Sequence, residues 1–266
     1  MKLELACRVA QGVRGSCDDR ALLLGKILDQ DSHSGEGDAP LIAVVCDGCG
    51  GYAGGGTAAE TVLSALSQAP LETLADPGGL VEALEGARRA VEEKKRELPQ
   101  LSEMCTTVAG CVFLEDRTFV FHAGDSRVYR YDGTSLARMT VDHSAVQSMV
   151  DAGRMSAEDG RKSPQRNIIT RCIGMDCPPP EIYVSQSPVL PGEVFLLCSD
   201  GLWECMPDEE LKGLLSQGGA PAGQVERLVD YALQAGSDDN ITACLCARRG
   251  GDMAAEATAE EPFVLD

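Results

Sequence analysis

An α+β fold built on antiparallel strands follows from three features of this 266-residue sequence. Short apolar runs rich in Val, Ile, Leu and Cys recur along the chain, as buried strands do. Three of them, over residues 106–114, 118–123 and 127–131, are separated only by Glu115-Asp116-Arg117 and Gly124-Asp125-Ser126. Links that short join strands as hairpins. Helical periodicity lies in separate stretches between the strand groups.

Taken in order, residues 3–13 and 21–28 read as strands, and 29–40 as a polar, Gly-containing loop. The run Leu41-Ile42-Ala43-Val44-Val45-Cys46 reads as a strand buried on both faces. Residues 57–69 form a helix with Ala58, Thr61, Val62, Ala65 and Leu66 on one face. Asp76-Pro77-Gly78-Gly79 breaks the chain, and 80–98 form a second helix with Leu80, Leu84, Ala87 and Val91 inward. After the hairpins, the polar stretch 142–173 leaves the core, with a helical patch at 145–152. Strands follow at 182–187 and 194–198, helices at 208–215 and 222–235, and a last buried strand at 241–247. Residues 1–249 read as one domain, and 250–266 as a disordered acidic tail.

The net charge is −19, from 23 Lys+Arg against 42 Asp+Glu. Nucleic acid and anionic membrane both need a basic face, so neither is expected as a partner. The longest apolar runs fall far short of a membrane span, and no apolar segment follows Met1 as in a signal peptide, so a cytoplasmic protein is expected. Twelve cysteines then read as small buried residues, not disulfides. Cys46 and Cys49 form a C-x-x-C, but no second pair or spaced His pair completes a zinc site.

Chemistry collects at the ends of the apolar runs. Asp47 follows the 41–46 run and opens a glycine-rich turn with Gly48, Gly50 and Gly51. It reads equally as a carboxylate offered to a hard cation and as a helix N-cap. Asp200 ends another apolar run and precedes Gly201; Asp239 stands just before the last strand; Asp19 stands just before the second. Carboxylates gathered together repel unless cations sit between them, which implies a two-cation site with oxygen ligands, for Mg²⁺ or Mn²⁺. Arg14, five positions before Asp19, is a fork for a phosphate or a salt-bridge partner. Two cations and one guanidinium suit phosphate ester hydrolysis.

The ordered segments G-V-R-G-S-C-D-D, V-V-C-D-G-C-G-G, C-T-T-V-A, H-A-G-D-S-R-V-Y, T-V-D-H-S, N-I-I-T-R-C-I-G, L-L-C-S-D-G-L-W and S-D-D-N-I-T resemble the metal-dependent serine/threonine protein phosphatases, the protein phosphatase 2C-like enzymes, in their bacterial form. The resemblance implies a four-layer αββα sandwich: two antiparallel sheets flanked by helices, with a flap at about 145–173. It implies that Asp47 bridges two metals, that the Gly48 carbonyl joins one of them, and that Asp200 and Asp239 complete the other. Asp19 then holds the second metal, and Asp125 with Asn167 a third, weaker one. Arg14 binds the substrate phosphate, so that Asp47 and Arg14 are the catalytic pair. The implied reaction is attack on a phosphoserine or phosphothreonine monoester by a water bridging the two metals, without a phosphoenzyme. Phosphoproteins and an opposing Ser/Thr kinase are the implied partners of a monomeric enzyme.

Three positions depart from the family pattern. Cys17 stands for the usual Asn, Asp18 for Glu, and Cys49 for the His or Met found two residues after the bridging Asp. The general acid is left unassigned. Cys49 and Cys17 are candidate redox-sensitive residues, through oxidation of Cys49 or a Cys17–Cys49 link. Of the histidines, His143 is expected to be structural, His122 a core residue and His33 exposed in a loop. A non-catalytic phosphoprotein scaffold and a C-x-x-C redox protein are the competing classes.

Overall fold

The computed structural model describes residues 1–49, 54–185 and 187–249. Among them the strands are β1 Lys2–Ala10, β2 Arg20–Leu23, β3 Lys26–Leu28, β4 Ser32–Asp38, β5 Leu41–Cys46, β6 Val108–Phe113, β7 Thr118–Ala123, β8 Arg127–Tyr131, β9 Leu136–Arg138, β10 Glu181–Ser185, β11 Val194–Cys198 and β12 Ile241–Ala247. The helices are α1 Gly55–Gln68, α2 Leu71–Leu74, α3 Pro77–Glu97, α4 Ala145–Asp151, α5 Ala157–Arg161, α6 Asp200–Trp203, α7 Asp208–Ser216 and α8 Pro221–Gln234. The strands form two six-stranded sheets, ordered β4-β1-β12-β11-β8-β9 and β10-β7-β6-β5-β2-β3. All pairings within them are antiparallel.

The alternation of side chains along a strand builds the layers. On β5, Ala43 and Val45 face the other sheet, while Ile42, Val44 and Cys46 face the helices α1 and α3. Leu3, Leu5, Cys7 and Val9 of β1 and Phe195 and Leu197 of β11 close the inter-sheet layer from the other side. Phe113 and Phe195 meet edge to face across it, with ring centroids 5.5 Å apart. On the outer face of the first sheet, Ala6, Leu196, Ala243 and Leu245 pack against Leu211, Leu215, Val225, Leu228 and Val229 of α7 and α8. The order is helix, sheet, sheet, helix, the sandwich the sequence predicts.

Several elements differ in detail. Residues 21–28 are not one strand but a β2–β3 hairpin, turned by Leu24 at φ 50° and Gly25 at φ 74°. The predicted loop 29–40 contains β4, an edge strand paired along β1. Its polar residues alternate between exposed and half-buried, as befits an edge. His33 is therefore half-buried in a strand, not exposed in a loop. The predicted break at Asp76 is a helix start: its Oδ2 accepts from Gly79 N at 3.1 Å, and Pro77 takes the first helical position. The expected inward face of α3, Leu80, Leu84, Ala87 and Val91, is buried. The tail 250–266 lies outside the described residues. No helix of the described residues is long and apolar enough to cross a membrane.

Candidate functional site

At one end of the sandwich the inward positions turn from apolar to polar. Strand parity sets this up. Asp47 continues the inward row of Ala43 and Val45, Asp19 precedes that of Ala21 and Leu23, and Thr242 precedes that of Cys244 and Cys246. Thr107 and Ser126 stand in the same relation to Ala109 and Val128.

These polar residues pin one another. Asp19 Oδ2 accepts from Ser199 Oγ and from Thr242 Oγ1, both at 2.7 Å. Asp47 N donates to Thr107 Oγ1 at 3.0 Å, and its carbonyl accepts from Thr106 Oγ1 and Thr107 N at 2.8 Å. Thr107 Oγ1 lies 2.7 Å from Ser126 Oγ, beside Asp125. Asn240 donates to the Gln11 and Ser16 carbonyls at 2.8 and 2.9 Å and accepts from Asp18 N at 2.8 Å. It thus holds the 11–18 loop, with Arg14, against the start of β12. Thr107, Ser126, Ser199, Thr242 and Asn240 escaped the sequence reading. Their signal was present, as polar residues standing where strand parity calls for an inward side chain.

A cleft of about 400 Å³ opens at this end. Arg14, Asp47, Asp125, Asn167, Asp200 and Asp239 line it, with Cys49 and Cys105 in its wall and Ile168, Ile169 and Met175 from the segment between α5 and β10. Asp19 does not line the cleft; it is buried beside Asp47. Burial first, and then Asp19, Asp200, Asp125 and Asp239, push the Asp47 carboxyl far above the usual carboxylate range. Asp200 is raised well up in the same way, by burial, Asp125 and Asp239. Asp19 rises to about 6 and Asp125 to about 7, each mainly by burial. Such a group of carboxyls can ionise together only with positive charge among them.

The donors fit a hard divalent cation. Asp200 Oδ1 is buried and has no hydrogen-bond partner among the described residues. An orphan carboxylate oxygen in a carboxylate-lined cleft is the donor that Mg²⁺ or Mn²⁺ accepts. Asp47 is not a helix N-cap; Gly54 holds that position at α1, and Asp18 Oδ1 accepts from Gly56 N at 3.1 Å. An acid beside that helix start is favoured by the helix dipole. Gly48 packs so close to Gly55 that a Cβ on it would lie 2.3 Å from the Gly55 carbonyl carbon. No side chain fits there.

Arg14 forms the ion pair left open by its sequence: Nη2 meets Asp239 Oδ2 at 2.7 Å and Nε donates to the Asp238 carbonyl at 2.7 Å. Asp125 is fastened from below. Its carbonyl accepts from Trp203 Nε1 at 2.9 Å, and the Trp203 ring lies 3.4 Å under the Arg127 guanidinium. Arg127 forks to Asp142 at 2.9 and 2.6 Å.

Cys17 and Cys49 are not brought together. Cys17 packs in the inter-sheet core, and Cys49 in a separate group with Cys105 and Cys172. Burial and then the nearby Asp19 push the Cys17 thiol up to about 12, away from the reactive thiolate. His122 is buried and stacks on His143 with centroids 4.4 Å apart; neither lines the cleft.

The chain's relatives share this architecture. A protein phosphatase 2C family model matches residues 24–242. The serine/threonine protein phosphatase PstP of Mycobacterium tuberculosis is 34% identical over 209 residues, 77% of this chain and 39% of that protein. The chain therefore spans about two fifths of that curated relative's length. The serine/threonine phosphatase stp of Listeria monocytogenes is 30% identical over 221 residues, 79% of this chain and 86% of that protein. Among solved structures, that of the M. tuberculosis PstP/Ppp phosphatase superposes with a TM-score of 0.80 at 29% identity, covering 94% of this chain and 100% of that one. A PstP catalytic domain in complex with two manganese ions gives 0.77 at 27% identity, covering 93% and 99%. With the family model matching residues 24–242, most of the sandwich, the chain belongs to the protein phosphatase 2C family.

Proposed function

We propose that the chain hydrolyses phosphoserine and phosphothreonine monoesters of proteins with two divalent cations in the carboxylate cleft. The observation that carries the reading is the unpartnered, buried Asp200 Oδ1 among carboxyls that repel one another. Asp47, the Gly48 carbonyl, Asp200, Asp239 and Asp19 would hold the two ions, and Asp125 with Asn167 a third. When bound, such ions lower the pKa of water and neutralise phosphoryl oxygens. Manganese in the PstP domain supports this choice, and magnesium suits the same donors.

The chain's own side chains do the rest. Arg14 sits exposed at the rim, where it can exchange its Asp239 partner for two phosphate oxygens. Thr106 and Thr107 hold the Asp47 main chain still, so that its carboxylate is in place before substrate arrives. Ile168, Ile169 and Met175 give the cleft an apolar edge on the flap side, where a peptide bearing the phosphate would lie. No cysteine is needed as nucleophile, and no phosphoenzyme forms. Residues 1–249 make up the catalytic unit, with 145–173 as its flap. A Ser/Thr kinase supplies the phosphoproteins, and the enzyme acts as a monomer. A cytoplasmic place is part of the same proposal, and a chain whose cysteines serve mostly as small buried residues suits a reducing compartment.

The test is hydrolysis of a phosphothreonine peptide with Mn²⁺, comparing wild type with Asp47→Asn. Wild type should be active and silenced by chelator, and the variant should lose at least about a hundredfold. Equal rates for the two proteins would overturn the metal mechanism.

A further inference from the structure

Three cysteines distant in sequence meet behind the wall of the cleft, which Cys49 and Cys105 line. Cys49 follows the Asp47–Gly48 turn, Cys105 precedes β6, and Cys172 lies where the flap returns to the sandwich. All three are buried, and their sulfurs lie within 4.8 Å of one another. Cys46, the other half of the C-x-x-C, points away into the helix layer.

The main chain holds the trio in place. Cys49 N donates to the Cys105 carbonyl at 3.0 Å. Thr106 and Ile173 exchange backbone hydrogen bonds of 3.0 and 2.8 Å, and Gly48 bridges to Thr106. Cys177 Sγ donates to the Cys172 carbonyl at 3.0 Å and accepts from Cys172 N at 3.3 Å, and Ile169 packs over the group. The sulfurs need not be gathered from a flexible chain.

We propose that Cys49, Cys105 and Cys172 form a second metal site, for a soft thiophilic cation such as Zn²⁺, separate from the carboxylate site. Zinc–sulfur bonds of about 2.3 Å place ligating sulfurs about 4 Å apart, a spacing these three can adopt with small side-chain adjustment. Thiolates select soft ions and carboxylates hard ones, so one cleft keeps the two kinds of ion apart. On binding, three S–H bonds give way to three metal–sulfur bonds, and the three protons pass to solvent. The trithiolate with Zn²⁺ carries one net negative charge. A nearby cation is Lys95, whose ammonium donates to the Gly174 carbonyl next to Cys105 while also pairing with Glu92 at 3.1 Å. Cys49 and Cys105 line the cleft, so the fourth coordination position faces solvent there. An ion held by these sulfurs clamps the flap's return to the turn that carries Asp47. Occupancy of the thiol site thereby couples soft-metal supply to the shape of the cleft, which goes beyond the hydrolytic reading above.

The probe is Cd²⁺, titrated into the reduced, chelator-stripped full chain. Sulfur-to-cadmium charge transfer in the ultraviolet reports thiolate ligation alone, because carboxylates give no such band. The band should saturate at one thiolate-bound ion per chain. It should be lost or sharply reduced in Cys49→Ser, Cys105→Ser and Cys172→Ser, and kept in Cys205→Ser. A wild type without the band, or a band that survives all three substitutions, would overturn the site. Because a serine variant can fail to fold, the wild type supplies a second measurement. Zn²⁺ should slow iodoacetamide labelling of Cys49, Cys105 and Cys172 several-fold, read by mass spectrometry. Unchanged labelling at these three would count equally against the site. Neither readout depends on phosphatase activity.

Discussion

Asp125→Asn isolates the charge strain stored in the carboxylate group. Asp125 is 5% exposed, and burial, followed by Asp142, lifts its carboxyl from 3.8 to about 7. Each unit corresponds to about 1.4 kcal/mol, so without a cation an ionised Asp125 costs the fold about 4 kcal/mol. The folded pKa lies above the unfolded one. The stability tied to this proton is therefore complete below about pH 4 and is lost as the pH rises through about 7. Asparagine carries no such charge. In chelator at pH 8 the variant should be the more stable protein by about 2–4 kcal/mol, a rise in Tm of about 5–10 °C. At pH 5, where the folded wild type keeps the proton, the advantage should shrink to about 1–2 kcal/mol. Scanning calorimetry at the two pH values, with and without Mn²⁺, reads this directly. Mn²⁺ should raise the wild type more than the variant. A variant no more stable than wild type in chelator at pH 8, or an advantage independent of pH, would refute the strain and with it the electrostatic pull on cations.

Three further outcomes follow from other contacts. Asp142→Asn leaves the Arg127 guanidinium buried over Trp203 without its charged partner, and should cost about 3–5 kcal/mol in urea unfolding. Gly48→Ala forces a Cβ to within 2.3 Å of Gly55, so it should lower stability by about 1–3 kcal/mol and displace the Asp47 turn. A fall in kcat for the phosphothreonine peptide larger than the stability loss explains would show that displacement. Burial, His122 and Arg171 hold His143 down at about 4, and burial holds His122 below its usual range. Their folded pKa values lie below the unfolded ones, so this stability is present above about pH 6.5 and lost as the pH falls towards about 4. Discounted for partial solvent access, His143 should contribute about 1–2 kcal/mol of that loss. Urea unfolding of His143→Gln at pH 7 and pH 5 should show a correspondingly flatter dependence.

The buried strands and amphipathic helices were legible because their side chains meet a single apolar environment. Thr118–Ala123, Arg127–Tyr131, Val194–Cys198 and Ile241–Ala247 stand where their apolar runs predict, and α3 buries its expected stripe. The edge strand β4 was not legible. Its residues are polar, and only the exposed backbone of β1 beside them makes them a strand. The β2–β3 turn was hidden for a related reason. Leu24 adopts a left-handed conformation that leucine disfavours, and the surrounding sheet holds it there.

At the site, the sequence by itself determined which carboxylates end strands, and that they stand at Asp19, Asp47, Asp200 and Asp239. A charge beside an apolar run is a local property and can be read locally. The tertiary structure alone decided that Asp200 Oδ1 is left without a partner, that Arg14 rests on Asp239, and that Asp47 is no helix cap. It also decided the fate of the cysteines. Cys46 ends β5 and points into the helix layer, while Cys49, past the strand end, is joined to Cys105 and Cys172 by backbone bridges between distant segments. Spacing along the chain carries no trace of that meeting, because it depends on which strands the hydrophobic layers bring side by side.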